Sequence, residues 1–331
     1  MLRLILSRVL QGVVVLVVVS ALTFALLAAA GGDALGQLGG DKAISDVTLR
    51  EMRRVYGLDQ PVAVRYARWL AGLARGRMGQ SFYYHAPVAT IIWPRFLRTL
   101  ALAAASLFIA LTISLTLGAL AARRAGSWWD RASELVILLT ASTPRIVLAL
   151  VALAVVARTS WFTVGGALAE TGGGDFSLLR ILPPALVLGI PLVALFLAQT
   201  REGLSVALTQ DFVRVARAKG LTERAVVMRH ALRDALNPLI TIFGYSLGSV
   251  MSGSIIVETV LGWSGLGLLS VNAVRTRDVP LLMGVVMVTA TAVLVGNLVA
   301  DILLRLNDPR LRRTRAARTR PTTFNLPAPG A

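Results

Sequence analysis

The sequence predicts an all-α, polytopic membrane protein with about six transmembrane helices. Three observations predict it. Apolar residues make up 56% of the 331 positions and mean hydropathy is +0.71, above what ordinary globular domains carry. Those residues gather into runs with almost no charge, each close to the roughly 20 residues a helix needs to cross the hydrocarbon core. The arginines lie between the runs rather than along one polar face, which is how a chain threaded through a bilayer distributes its cations.

Six runs qualify as spans: Val9 to Ala30, Leu100 to Ala122, Leu135 to Ala157, Leu182 to Gln199, Leu236 to Val260 and Leu281 to Leu304. Backbone groups in lipid must be satisfied within the segment, so each run is read as a helix. The first follows Arg3 and Arg8 and ends in Ala28-Ala29-Ala30, a pattern shared with cleaved signal peptides. Its apolar stretch exceeds the roughly 7–15 residues of a signal core, and it is expected to be a retained helix, residues 1–30.

Residues 31–98 hold many arginines, Arg50, Arg53, Arg54, Arg65, Arg68, Arg75 and Arg77 among them. Loops longer than roughly 60 residues escape the positive-inside rule. With Tyr56, Tyr66, Trp69 and amphipathic spacing, the segment is expected to fold as a small external helical subdomain. The remaining basic clusters set the orientation. Arg3 and Arg8, then Arg123, Arg124 and Arg131, then Arg214 to Arg233, then Arg305 to Arg320 recur on one side, which places both termini in the cytoplasm. Residues 99–311 form the membrane core. The tail, 312–331, has few large apolar residues and is expected to be disordered, either a solvated topology signal or a contact for anionic lipid.

Composition also excludes chemistry. A net charge of +17 and pI near 11.6 would point to nucleic acid in a soluble protein, but here the membrane surface accounts for them and no nucleic-acid partner is expected. Cysteine is absent and only His85 and His230 carry imidazole, so metal and thiolate chemistry are not expected. The only lysines, Lys42 and Lys219, do not follow a glycine. No phosphate-binding loop exists on this chain, and any ATP must be hydrolysed by another.

Between the fourth and fifth spans, residues 211–238 form a polar stretch far longer than a tight connection needs. Phe212, Val215, Ala216 and Ala218 predict a short helix that Gly220 breaks. Thr222 can cap a second helix, with Ala225, Val226, Met228, Ala231 and Leu232 as its apolar stripe. Arg217, Lys219, Glu223 and Arg224 sit at the bend. Such an elbow fits a partner's groove; a membrane-surface loop with amphipathic helices is the alternative.

At these residues the chain resembles a known family. Arg214-Val-Ala-x-x-x-Gly220 resembles the glycine-centred EAA loop of ABC importer permeases, with Arg214 and Val215 replacing its first Glu and Ala. Ala216-Arg-Ala-Lys-Gly-Leu221, Arg229-His-Ala-Leu-Arg233 and Asn237-Pro238 are similar to the dipeptide/oligopeptide/nickel branch. So are Gly57-Leu-Asp-Gln-Pro61, Val257-Glu258-Thr259, Arg277-Asp278-x-Pro280 and Asp308-Pro-Arg310. Ser264 departs from the branch, where Pro is usual, as does Arg145 after Pro144.

The resemblance implies a type I ABC importer permease in a bacterial plasma (inner) membrane. It further implies a second homologous permease subunit, two cytoplasmic ATP-binding subunits carrying ATP and Mg, and an external solute-binding protein that delivers a peptide-like solute. No cofactor is implied on this chain, which is not itself an enzyme. Arg214, Ala216, Arg217, Ala218, Lys219, Gly220, Leu221, Glu223 and Arg224 are implied to couple to the ATPases, with Ala216, Ala218 and Leu221 in the ATPase groove.

Arg145, placed near the middle of the third span, costs at least roughly 2.5–3.5 kcal/mol there and either holds a substrate carboxylate or pairs with an acid. Gly244, Gly248 and Ser252 read as a packing stripe, Pro238 as an ordinary first-turn proline, and Gly262, Gly265 and Gly267 as an external turn. Glu258 and Asp301 read as solvated end residues or static helix pairs. Two other function classes make different demands on the sequence. An ion-gradient-driven secondary transporter calls for mid-span acids and inverted repeats, and a membrane-embedded enzyme for a paired nucleophile and base. Neither set is evident.

Overall fold

The computed structural model describes residues 2–30, 51, 54, 59–158 and 178–307. In chain order its helices are α1 (Leu2–Ala29), α2 (Val62–Ala74), α3 (Val88–Arg123), α4 (Trp128–Ser142), α5 (Arg145–Ala157), α6 (Leu178–Thr209), α7 (Asp211–Ala218), α8 (Glu223–Ala225), α9 (Leu232–Leu261), α10 (Leu266–Arg275) and α11 (Val279–Asn307). A π-helical turn, Val226–Ala231, joins α8 to α9 without a gap. Among the described residues the fold is all-α, with one isolated bridge between Gln80 and Pro87. The expected tail, 312–331, and residues 31–50 of the expected external subdomain lie outside the described residues.

Helices α1, α3, α6, α8–α9 and α11 are each long and apolar enough to cross a bilayer, and α4 with α5 adds a sixth when the bent pair is counted as one span. The bend corrects the expectation of a continuous third span. The two helices meet at 95° because Pro144 has no N–H to give and disfavours helical backbone at the residue before it. Thr143 is accordingly extended, at φ −92° and ψ 116°. The Pro144 carbonyl then starts α5 by accepting from the Val147 and Leu148 amides at 3.0 and 3.2 Å. Residues 88–98, the end of the expected external segment, are helical and continuous with the second span in α3. A second correction concerns Pro238, which lies well inside α9 rather than in its first turn.

Small residues let the spans close on one another, since lipid gives no hydrophobic drive for helix pairing. A Cβ on Gly118 would meet the Thr200 side chain at 2.7 Å, and one on Gly189 the Ser106 carbonyl at 3.0 Å, so α3 and α6 run parallel in close contact. A Cβ on Gly244 would meet Ala300 at 2.8 Å, and on Gly248 Val293 at 3.6 Å. These two glycines therefore pack antiparallel α9 against α11, while Ser252 is exposed. Helix α1 lies along α11 through Gly12 and Leu294, and its Arg8 Nε bonds Asp301 Oδ2 at 2.6 Å.

The end of the bundle opposite residues 211–238 is closed by two buried carboxylates. Sequence position puts Glu258 within reach of hydrated headgroups; in the structure it is fully buried. Thr99 Oγ1 donates to Glu258 Oε1 at 2.8 Å and accepts from the Leu266 amide at 2.8 Å, while the Leu268 amide donates to Glu258 Oε2 at 3.0 Å. One carboxylate thus joins α3, α9 and the start of α10, where N–H groups without helical partners favour negative charge. A Cβ on Gly265 would lie 2.5 Å from both its oxygens, so the turn tolerates only glycine there. Asp278, also fully buried, accepts from Ser81 Oγ at 2.5 Å and the Tyr83 amide at 3.1 Å, and caps α11 at the Leu281 amide, 3.1 Å.

Glu258→Ala should lower the melting temperature of the detergent-solubilised protein. It leaves the Thr99 hydroxyl and the Leu268 amide buried without acceptors, at about 1–3 kcal/mol per group. An unchanged unfolding transition would show that the carboxylate ties nothing together.

Candidate functional site: a helical elbow and a break in the third span

The elbow comprises α7, a bend at Lys219–Thr222, and α8 with the π-helical turn. Its inward face is apolar. Val213 and Ala216 from α7, and Val226, Val227 and Ala231 from the turn, are buried against Ala122 of α3, Leu204 and Ala207 of α6, and Ala235 of α9. One small core therefore fastens the elbow to the ends of three spans. A Cβ on Gly203 would meet Ala235 at 3.3 Å, so α6 and α9 touch beneath it.

The bend is set by Gly220. Its φ is +76°, and a Cβ there would meet nothing within 4 Å, so the requirement is one of backbone conformation and not of space. Its amide donates to the Arg217 carbonyl at 2.9 Å. Thr222 caps the second helix as the sequence predicts, accepting from the Ala225 amide at 3.4 Å. Across the bend Arg217 grips Glu223 with both ends of its fork, Nε to Oε1 at 2.8 Å and a terminal nitrogen to Oε2 at 3.3 Å. Arg217 and Glu223 therefore face each other rather than standing as separate contacts. Arg214 reaches Asp211 at 3.5 Å, an exposed pair of the kind that contributes little. Ala218, Lys219, Leu221 and Arg224 are exposed.

Phe212, Val215, Ala216 and Ala218 predict a short helix from the sequence, and α7 is that helix, with these residues divided between its two sides. Ala216 turns inward with Val213, while Phe212 is 42% and Val215 53% exposed, alongside Leu221 at 42% and Met228 at 59%. Ala216 is taken up by the chain's own packing and does not face a partner. Beside the elbow, Arg201 bonds Asp130 at 2.6 Å and Glu134 at 3.0 Å, a tie between α6 and α4 whose partners are too distant in sequence to be paired from it.

Arg145 is the first residue of α5, at the break, rather than inside a continuous helix. Its guanidinium donates to the Ser249 carbonyl at 3.1 Å and the Ser249 hydroxyl at 2.7 Å. A Cβ on Gly253 would press to 2.9 Å from its Cζ, so this arginine lies on α9 because residue 253 has no side chain. Its partners are a backbone carbonyl and a hydroxyl, not an acid. Among the described residues no group of three or more His, Asp or Glu is arranged to hold a metal.

Residues 114–313, which include the elbow, match the family described as binding-protein-dependent transport system inner membrane component, and residues 1–103 match the N-terminal region of such components. The chain belongs to this family. The permease is 38% identical to a protein of Brucella suis named as a peptide permease, over 95% of this chain and 100% of that protein. It is 35% identical to the oligopeptide transport system permease protein AppB of Bacillus subtilis, over 93% and 98%. It is 33% identical to a Brucella abortus protein named as a peptide transport system permease, over 94% and 99%. The type I ABC permease fold and the multi-pass membrane character expected from the sequence hold.

Within this permease, Val213→Asp should destabilise the folded protein by more than about 3 kcal/mol, because the new carboxylate enters the elbow's core unpaired. Val215→Asp, on the exposed side of the same helix, should leave the melting temperature within a degree or two of the parent's, about 0.5 kcal/mol or less. Equal losses at the two positions would contradict the assignment of inner and outer faces.

Proposed function

We propose that this permease forms half of the translocation pore of an ATP-driven, binding-protein-dependent importer of peptide-like solutes. Its partners are a second homologous permease, two cytoplasmic ATP-binding subunits that hold ATP and Mg, and an external solute-binding protein. The elbow end and both termini are cytoplasmic on this reading, supported by the arginines grouped at that end. The names of its relatives in Brucella and Bacillus support peptides as cargo.

The observation that carries the coupling role is the shared core beneath the elbow. A displacement of α7 cannot be absorbed by a slack loop, because the cluster binds it to α3, α6 and α9 together. Outward, Phe212, Val215, Leu221 and Met228 give a partner apolar surface beside the cations Arg214, Lys219 and Arg224. That combination of apolar anchors with a charged rim suits a protein groove. Closure of two ATPases on nucleotide would draw paired elbows together and tilt the spans fastened to them; hydrolysis would let them return. Arg145 belongs to the translocation path on this reading. It is a half-buried cation where the third span breaks, and it retains N–H donors beyond those given to Ser249.

Gly220→Pro should abolish ATP-dependent uptake in reconstituted vesicles while leaving membrane insertion intact, since proline cannot adopt φ +76° and has no amide for Arg217. Normal uptake by that variant refutes the coupling role. Val215→Asp should weaken capture of the ATP-binding subunits by at least about tenfold, and undiminished capture would move the contact elsewhere. Arg145→Gln should reduce uptake of a peptide with a free carboxylate more than that of its amide, when both are compared in the same preparation of folded variant. Equal uptake of the two by this variant and the parent removes Arg145 from the path.

A further inference from the structure

A cavity of about 530 Å³ opens at the end of the bundle away from the elbow, between α1, α2, the loop after α2 and the start of α11. Its polar lining includes Arg65, Arg68 and Arg77, and among the described residues no acid lines it. The acid nearest in sequence to the α11 wall is Asp278, whose oxygens are already held by Ser81, Tyr83 and Leu281. Trp69 also lines the cavity, and its indole nitrogen is buried with no hydrogen-bond partner, an arrangement a native fold rarely leaves unfilled. The apolar part of the lining includes Phe24 and Pro280, with the Arg65 guanidinium 5.8 Å from the centre of the Phe24 ring.

Depth decides between ligands. Phe24 lies under two turns before the end of α1, inside the apolar run. Tyr66 of α2 reaches further in, to the Ser20 hydroxyl at 2.9 Å and the Val17 carbonyl at 3.3 Å. Helix α2 therefore lies along the second half of α1, with Val62 and Val64 exposed beside its arginines, as an amphipathic helix at a membrane surface does. A docked protein stays outside the headgroup layer, whereas a lipid phosphate sits within it. Guanidinium donors and apolar side chains in one cavity match a headgroup joined to its acyl chains.

We propose that this cavity binds the phosphate oxyanion of an anionic phospholipid in the leaflet at that end, with Arg65, Arg68 and Arg77 as guanidinium donors and the Trp69 N–H as a fourth. Planar guanidinium forks fit phosphate oxygens two at a time. Three cations facing one phosphate favour a headgroup with net negative charge over a zwitterionic one. Nothing in this assignment depends on transport; only the name of the leaflet, the outer one, follows from the orientation proposed above.

The test uses the full chain with the subunits that purify with it, in nanodiscs of mixed phosphatidylglycerol and phosphatidylcholine, with retained lipid counted by native mass spectrometry. The parent should retain phosphatidylglycerol preferentially, and Arg65→Gln/Arg68→Gln/Arg77→Gln should lose that retention by about tenfold. Trp69→Phe, which keeps the ring and removes only the donor, should lower retention without shifting the melting temperature. Equal retention by parent and triple variant overturns the proposal. Displacement of the lipid by millimolar inorganic phosphate would make the site one for free anions and overturn the lipid assignment. A triple variant that holds lipid normally but no longer captures its external solute-binding protein would make the cavity a protein-docking site, with the same consequence.

Discussion

Inside hydrocarbon a backbone amide or carbonyl has no water to turn to, and this constraint shapes the whole permease. It makes every described span helical, and it singles out the one place where the backbone gives way. At Thr143–Pro144 the helix stops and restarts at 95°, and the freed groups have to be provided for locally. The Pro144 carbonyl takes two amides of the new helix, and Arg145 reaches across to the Ser249 carbonyl and hydroxyl on α9. The break and the half-buried cation thus lie at one place. An arginine at a helix start, lying in a groove that Gly253 leaves open, ties the interrupted span to its neighbour.

Between the spans, cohesion comes from close approach rather than from hydrophobic collapse, because lipid tails are as apolar as leucine. Glycines at 118, 189 and 244 bring backbones together along the bundle, and strong polar ties lie toward its ends. At one end Arg8 holds Asp301 and Arg201 holds Asp130 and Glu134. At the other, Glu258 and Asp278 each gather donors from separate elements. Such an arrangement pins both ends while leaving the middle, apart from Arg145, free of strong electrostatic bonds. This pattern suits the proposed rocking of spans fastened to an elbow.

Much of the candidate site was legible in the sequence. Gly220 as the bend, Thr222 as the cap and an apolar stripe through Val226 and Ala231 all follow from local backbone preference and periodicity. The face of α7 was not. Eight residues with Phe212, Val213, Val215, Ala216 and Ala218 offer apolar positions on several sides, so spacing alone does not choose which side the protein covers. The Arg217–Glu223 grip depends on the bend bringing residues six apart into register. The buried state of Glu258 depends on Thr99, more than 150 positions away.

By itself the sequence determined the class of solvent, the number and order of spans, the polar elbow between the fourth and fifth of them, and the absence of a phosphate-binding loop. Each of these rests on local quantities: run length, charge spacing, and the conformations open to glycine, proline and threonine. The tertiary structure alone decided the 95° bend that Pro144 permits, the burial of Glu258, the partner of Arg145, the inward face of α7, and the meeting of Phe24 with three arginines around a cavity. Those outcomes depend on which surfaces distant helices bring together. In a membrane, side-chain fit between helices sets that choice, and composition along one strand of sequence does not encode it.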